Sequence, residues 1–377
     1  MKNVVIAGYV RSPFTLAHKG GLLHMRPDDL AAQVVRALVD RTKVNPEHIE
    51  DLILGCAFPE GEQGFNLGRL VALLADLPQS VAGMTVNRFC GSSMQSVHIA
   101  AGQIQLGAGE VFIAAGVESM SRVPMMGFNP LPNPVLQAKA PVYIGMGDTA
   151  ENVASRWRIG RGEQEAFAVR SQQRAAAAAA AGRFAAELVP VTVGRGTVDR
   201  DGCIRADTSA ADLAQLKPAF WKDGTVTAGT SSPLTDGAAA VLVCSEDYAM
   251  QHGVTPLARI RGVAVAGCAP DIMGIGPVAA TRKALQRANL KMSAIDVVEL
   301  NEAFSSQALA CVRDLGIEDH VLNIDGGALA LGHPLGATGA RIVGKAASLL
   351  QRLRGRYALA TQCIGGGQGI ATLLERI

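Results

Sequence analysis

Four residues of this chain have the type and local setting needed to make and break a bond to carbon: Cys90, His333, Cys363 and Asn301. Cys90 follows a strand-like stretch, Met84-Thr85-Val86-Asn87, and precedes a helix-like one that runs from Gly91 through Val97. It therefore falls at or just before a helix N-terminus, where unpaired backbone N–H groups and the helix dipole favour a thiolate. A free cysteine with a pKa near ~8.5 is only a few per cent thiolate at neutral pH, and lowering that pKa by ~1.5 units takes about 2 kcal/mol. The helix end together with a histidine is expected to supply it.

His333 lies in a glycine-dense turn, Gly326-Gly327-Ala328-Leu329-Ala330-Leu331-Gly332-His333-Pro334-Leu335-Gly336-Ala337-Thr338-Gly339. Pro334 keeps it out of helical geometry, so its imidazole can project as a base. Cys363 opens the run Ile364-Gly365-Gly366-Gly367-Gln368-Gly369, where missing side chains let a substrate reach the main chain and free its N–H groups as an oxyanion hole. Asn301, in Asn301-Glu302-Ala303-Phe304, ends another strand and is placed to orient a water or an oxyanion. Each also has a plainer reading when taken alone: a buried structural cysteine, a hydrogen-bonded loop histidine, an Asn-containing turn.

These residues need a frame to bring them together. Apolar runs alternate with helical stretches: Val4 to Gly8, Asp29 to Val39, Asp51 to Ala57, Leu67 to Leu77. Such alternation predicts βα units and a mostly parallel sheet. The pattern returns with an offset of about 246 to 250 residues: Pro27 with Pro277, the strand at Leu52 with Asp296 to Leu300, and Val111 to Gly116 with Tyr357 to Thr361. A duplicated α/β unit with a cleft between its halves is expected. Between the copies, from Glu118 to Leu234, lies different sequence. It opens on a loop-like stretch, Met125-Met126-Gly127 with Pro130, Pro132 and Pro134, followed by helices near Thr149 to Trp157 and Glu163 to Ala181. Gly182 is placed to end the second helix.

Composition removes several classes of function. The chain has 377 residues, 49% of them hydrophobic, enough for a large core. Its 35 basic and 33 acidic residues create no global field for nucleic acid. Apolar runs such as Val4 to Val10 are far shorter than the roughly 20 residues of a membrane span. Met1 to Val10 reads as a strand, not a signal peptide. Seven cysteines without a CxxC pair support neither a disulfide framework nor a zinc site. Gly339 to Lys345 spells GxxxxGK, but Ala346 follows and the stretch reads as helix, so it is no phosphate loop.

Taken together, four blocks resemble the thiolase family: Asn87-Arg88-Phe89-Cys90-Gly91-Ser92-Ser93-Met94, Asn301-Glu302-Ala303-Phe304, Gly332-His333-Pro334 and Cys363-Ile364-Gly365-Gly366-Gly367. The likeness spans essentially the whole chain, including Val226-Thr227-Ala228-Gly229 and Asp236-Gly237-Ala238, and is nearest to bacterial fatty-acid-oxidation members. It implies an α/β thiolase fold of two duplicated βαβαβαββ-type halves, with residues 1–117 and 235–253 as the first half and 254–377 as the second. Residues 118–234 would form an inserted loop domain covering the CoA site.

The resemblance further implies CoA-dependent cleavage of 3-ketoacyl-CoA to acetyl-CoA and a shortened acyl-CoA, or the reverse condensation, by ping-pong acyl transfer. Cys90 would carry the acyl group, His333 would be its base, and Cys363 would move the proton at the acetyl Cα. His333 and a water on Asn301 would bind the enolate oxygen, and the N–H groups of Cys90 and Gly365 the acyl oxygen. CoA, a co-substrate with no permanent cofactor or metal beside it, would touch Met146, Arg205, Phe220, Ala228, Ser232, Ala303 and Phe304. A homodimer or homotetramer is implied, beside other β-oxidation enzymes, while the lack of a peroxisomal ending after Arg376-Ile377 and of a transit peptide leads us to expect the cytoplasm.

The chain also departs from the family pattern. Gly145 stands where many short-chain biosynthetic members have His before Met-Gly, and Gly202-Cys203-Ile204 precede Arg205 in place of an acidic pair. Asp325 replaces a frequent asparagine, and Ser305-Ser306 an alanine pair. The competing activities are a biosynthetic acetyl-CoA C-acetyltransferase, a ketoacyl synthase, which has no need of the Cys363 thiol, and a non-enzymatic lipid-binding relative.

Overall fold

The computed structural model describes residues 2–377. The first half of the chain lays down β1 (Val4–Arg11), β2 (Thr15–Leu16), α1 (Pro27–Thr42), β3 (Asp51–Gly55), α2 (Leu67–Leu74), β4 (Ala82–Val86), α3 (Ser92–Leu106) and β5 (Val111–Ser119). An excursion then carries α4 (Pro134–Lys139), α5 (Met146–Arg156), α6 (Arg161–Ala180), the hairpin β6 (Val191–Val193) and β7 (Gly196–Val198), and α7 (Ala210–Ala214). The chain returns as β8 (Thr235–Ser245) and α8 (Glu246–His252). The second half follows as β9 (Ala258–Gly267), α9 (Gly276–Ala288), β10 (Val297–Leu300), α10 (Ser305–Leu315), α11 (Ala328–Leu331), α12 (Leu335–Leu353), β11 (Tyr357–Ile364) and β12 (Gln368–Glu375).

Strand pairing repeats the duplication read from the sequence. In the first half the order is β4-β3-β5-β8-β1, with β3 parallel to β4 and β5, and β8 antiparallel to β5 and β1. In the second it is β10-β11-β12-β9, with β10 parallel to β11, and β12 antiparallel to β11 and β9. Where β4 flanks β3, the second half has an isolated parallel bridge between Val298 and Leu322. The two sheets join edge to edge through Val5↔Arg259 and Ile6↔Ala258. β5 and β8 are buried at every residue, as expected of strands covered on both faces.

The layers run helix, sheet, helix, sheet, helix. α1 and α2 cover the first sheet, α9 and α10 the second, and α3 and α12 lie between them. The central pair explains the misleading GxxxxGK. Gly339 and Gly344 sit inside α12, where a Cβ would collide with the Met94 backbone and the Tyr9 ring respectively, and Lys345 is a buried cation paired with Glu187 and Asp325. These glycines permit close packing and hold no phosphate. The stretch expected to be loop around Pro130 to Pro134 includes the short helix α4, started by Pro134 with Asn133 as its cap. Among the described residues no helix is long and apolar enough to cross a membrane.

Candidate active site

Cys90 is presented by a strained turn. Phe89 takes φ +43°, in the left-handed region rarely adopted by a residue with a side chain. Its N–H donates to Asn87 Oδ1 at 2.8 Å, while Ser92 Oγ accepts from the Arg88 N–H at 2.9 Å and donates to the Phe89 carbonyl at 2.6 Å. Gly91 caps α3, so the thiol stands just ahead of the first helical turn. The Gln362 side-chain amide donates to the Cys90 carbonyl, tying this turn to β11 of the other half.

His333 stands at the entrance to α12, with Pro334 as the helix cap. Its backbone N–H donates to Thr235 Oγ1 at 3.0 Å. Nδ1 lies 2.6 Å from Thr338 Oγ1, and that hydroxyl donates its only proton to the Pro334 carbonyl at 2.9 Å. The hydroxyl must then accept from Nδ1–H, which leaves Nε2 unprotonated. Nε2 faces the Asn301 side-chain amide, 3.3 Å away at the end of β10. Among the described residues Asn301 Oδ1 is buried and accepts no hydrogen bond.

Cys90, His333 and Cys363 line one cavity of about 390 Å³. Met146, Phe220, Ser232, Ala303 and Phe304 line it with them. The Phe220 and Phe304 rings meet edge to face with centroids 6.0 Å apart, and the Ser232 N–H donates to the Ala303 carbonyl at 2.9 Å. Arg205 and Ala228 are exposed and stand outside this lining. Gly365 lines a second, adjoining cavity with Cys90, and its N–H points to the Cys90 sulfur together with that of Cys90 itself.

The pattern described as "Thiolase, N-terminal domain" matches residues 4–247, and "Thiolase, C-terminal domain" matches residues 254–376. The chain belongs to the thiolase family. It is 46% identical to a 3-ketoacyl-CoA thiolase of Bacillus subtilis (strain 168) over 389 residues, and 48% identical to one of Vibrio cholerae serotype O1 (strain ATCC 39315 / El Tor Inaba N16961) over 391, with all of both chains covered each time. Human mitochondrial 3-ketoacyl-CoA thiolase in complex with CoA superposes with a TM-score of 0.92 at 38% identity, over 100% of this chain and 98% of that one. The Bacillus anthracis acetyl-CoA acetyltransferase gives 0.93 at 40%, over 100% and 99%.

In this thiolase the resting charges differ from the expected ones. Burial pushes the Cys90 thiol up to about 11, against the smaller lowering effect of the Gly365 and Cys90 N–H groups. Burial, with Arg341 beside it, pushes His333 down to about 3. Burial and the neighbouring Cys90 hold Cys363 well above the usual thiol range. The helix-end argument for a lowered thiol is therefore overruled by desolvation, and the site at rest is a neutral thiol facing a neutral imidazole.

Two supporting residues of the thiolase site were not singled out from sequence. Thr338 lay inside the glycine run, five positions after His333, but only the helical turn brings its hydroxyl to Nδ1. Glu118 is fully buried and accepts from the N–H groups of Ala57 at 2.8 Å, Phe58 at 3.2 Å and Gly336 at 2.9 Å, and from the Gln63 amide at 2.8 Å. It ties the end of β3 to the start of α12, and its partners come from three separate stretches that no local motif unites.

Proposed function

We propose that this thiolase cleaves 3-ketoacyl-CoA with CoA to give acetyl-CoA and an acyl-CoA two carbons shorter, and runs the reverse condensation through the same residues. The observation that carries this reading is the convergence of Cys90, His333 and Cys363 on one cavity, with the Cys90 and Gly365 N–H groups at the Cys90 sulfur and the Asn301 amide at His333 Nε2.

In the proposed first half-reaction the Cys90 sulfur attacks the 3-keto carbon as its proton passes to His333 Nε2. Both groups are neutral at rest, so charge forms only as the new C–S bond forms, where the N–H groups of Cys90 and Gly365 can meet the oxyanion. The bond between C2 and C3 then breaks. The enolate of acetyl-CoA leaves with its oxygen at His333 and at a water on Asn301, and Cys363 gives its thiol proton to C2. Asn301 Oδ1, buried and without a protein partner among the described residues, supports a place for that water.

In the second half-reaction CoA gives its thiol proton to the Cys363 thiolate, and the CoA sulfur attacks the acyl thioester. Cys90 leaves as thiolate and recovers its proton from His333, so protons and charges return to the starting state. Met146, Phe220, Ser232, Ala303 and Phe304 are proposed to hold CoA, with Arg205 and Ala228 reaching the part outside the cavity. Residues 118–234 would serve as its cover between the halves 1–117 with 235–253 and 254–377.

A second copy of the chain is the partner this reading favours. β4 is an edge strand with partly exposed residues, flanked by Leu70, Leu73 and Leu74 of α2 and by Phe65, which is 93% exposed. An unpaired edge beside an apolar surface favours pairing with a like edge. A cytoplasmic location accords with the bacterial relatives.

The test is release of acetyl-CoA from acetoacetyl-CoA in the presence of CoA, with mass spectrometry of the protein for an acyl group on Cys90. His333→Ala is expected to slow thiolysis by roughly 10² to 10⁴. A protein that neither turns over nor becomes acylated would overturn the reading.

A further inference from the structure

Behind the Asn301 and His333 side chains lies a buried ion pair that the reaction above does not use. Alternate residues of a strand face the same way, so Glu299 of β10 points with Asn301 toward α12. On α12, Thr338, Arg341 and Lys345 follow at helical spacing along one face. One contact between the two elements is Asn301 to His333 at 3.3 Å, and the next is Arg341 Nη1 to Glu299 Oε2 at 3.4 Å. Both side chains of the second contact are buried, Arg341 at 1% exposure and Glu299 at 0%.

The geometry of this pair is poor for stability. Its single bond is long, and Glu299 Oε1, Arg341 Nε, Arg341 Nη2 and the neighbouring Tyr9 hydroxyl have no hydrogen-bond partner among the described residues. Apolar side chains of like size commonly stabilise such a place as well or better than a loosely bonded ion pair. The other carboxylates nearby are engaged elsewhere: Glu187 by Arg11 and Lys345, Asp201 by Arg11, and Asp325 by Lys345 and Arg352. Glu299 is thus the carboxylate that answers the Arg341 charge.

That charge bears on His333. Burial, and after it the Arg341 cation, keep the imidazole neutral at rest. When Nε2 takes the Cys90 proton, an imidazolium forms within reach of a guanidinium carried by the same helix, and the two like charges repel. We propose that Glu299 is a positioning residue for this transfer: its carboxylate neutralises Arg341 and so lets His333 accept the proton. The proposal rests on the reading of His333 as the base. No bond forms or breaks at Glu299, and the proton still moves from the Cys90 sulfur to Nε2. Burial raises the Glu299 carboxyl to about 7, with Arg341 and Lys345 opposing the rise and Asp325 and Glu187 adding to it. The carboxylate is therefore present above that pH and lost below it.

The experiment follows acetoacetyl-CoA thiolysis against pH in the wild type, in Glu299→Gln, and in the double variant Glu299→Gln with Arg341→Met. Glu299→Gln leaves the guanidinium unanswered. Its kcat at about pH 8 is expected to fall roughly 10- to 100-fold, the effect of one unbalanced charge near the reacting groups, with KM nearly unchanged. Removing the cation as well should recover about tenfold or more of that loss. In the wild type kcat/KM should rise as pH climbs through about 7, and this limb should be missing from both variants. A purely structural pair would slow the enzyme without removing a limb of the profile. Wild-type kcat in folded Glu299→Gln, a double variant as slow as the single one, or a wild-type profile without the limb overturns the proposal. The wild-type profile decides the matter even if neither variant folds. A wild type that neither cleaves acetoacetyl-CoA nor carries an acyl group on Cys90 overturns the functional reading beneath it instead.

Discussion

The hydroxyl of Thr338 stands 2.6 Å from Nδ1 of His333 and spends its own proton on the Pro334 carbonyl, so it fixes which imidazole nitrogen carries hydrogen. An imidazole held this way keeps its lone pair on Nε2, toward Asn301, as the proposed base must.

Thr338→Val keeps the shape and removes the hydroxyl. The Pro334 carbonyl retains the N–H groups of Ala337 and Thr338, but the buried Nδ1–H loses its acceptor, so stability should fall by about 1 to 3 kcal/mol with the fold intact. We expect kcat for acetoacetyl-CoA thiolysis to fall roughly 10- to 100-fold, the range for losing a group that orients a functional histidine, with KM nearly unchanged. Restoration by Thr338→Ser would confirm the hydroxyl's role, whereas a Val variant with wild-type kcat would remove it.

The two thiols in the cavity should separate by reaction. Moving acetyl from acetyl-CoA to Cys90 breaks only a C–S bond, whereas thiolysis needs a proton delivered to the acetyl Cα. Cys363→Ala is expected to lose acetoacetyl-CoA thiolysis yet still exchange labelled CoA with acetyl-CoA. Cys90→Ala should lose both. Full thiolysis by folded Cys363→Ala, or loss of its exchange, would return Cys363 to the role of a packed core cysteine.

Alkylation of the free enzyme should carry the signature of a raised thiol. Cys90 at about 11 lies below Cys203, Cys244 and Cys311 at about 12, and it faces a cavity, so iodoacetamide is expected to modify it first. Because thiolate is the reactive form, the rate at Cys90 should climb with pH across the mildly alkaline range without levelling near neutrality. Peptide mapping against pH decides it: a plateau below pH ~8, or earlier labelling of the half-buried Cys268, contradicts the expectation.

Asp325 is buried and clasped by three cations: Arg352 through two bonds of 2.7 and 2.8 Å, Lys345 at 2.8 Å and Arg183 at 3.3 Å. Burial alone would raise its carboxyl, but Arg352 and Lys345 hold it at about 2. A folded-state pKa below the unfolded value of ~3.9 adds about 2 kcal/mol above pH ~4, lost as pH falls toward ~2. Asp325→Asn should destabilise the protein at neutral pH by roughly 3 kcal/mol, since buried cations lose their partner, and should flatten this acid dependence. Denaturant unfolding at several pH values measures both, and an unchanged acid limb in the variant would refute the assignment.

How much of this was legible in the sequence depended on how local each cause is. The apolar runs Val111 to Gly116 and Tyr357 to Thr361 lie in β5 and β11, so these strands and their repeat offset were legible from the pattern. The mostly parallel sheet expected from it was not: β8, β9 and β12 pair antiparallel with their neighbours, a choice made by partners distant in sequence. Cys90, His333 and Cys363 were legible because glycines and Pro334 punctuate the turns that aim them. The thiol's charge state was not, because the desolvation comes from packing across distant segments, including the inserted residues 125–146, which no motif beside Cys90 reports. The backbone and amide donors to Glu118 were invisible for the same reason. Gly339 and Gly344 show the converse, since a spacing that spells a phosphate loop arises here from one helix packing closely on α3 at Met94 and on β1 at Tyr9.

Cys90 and His333 each stand two positions before a central helix, α3 for one and α12 for the other, and these helices occupy equivalent places in the two repeats. The proposed nucleophile and base are thus symmetry mates, one borrowed from each copy of an ancestral unit. Neither repeat on its own could hold more than one tip of the calliper. The gap between the tips is set where the helices cross, at Gly339 against the Met94 backbone and at the 2.9 Å bond from the Ala340 N–H to Ser93 Oγ. A methyl group added at Gly339 would therefore act as a shim, altering the reach from sulfur to imidazole while touching neither.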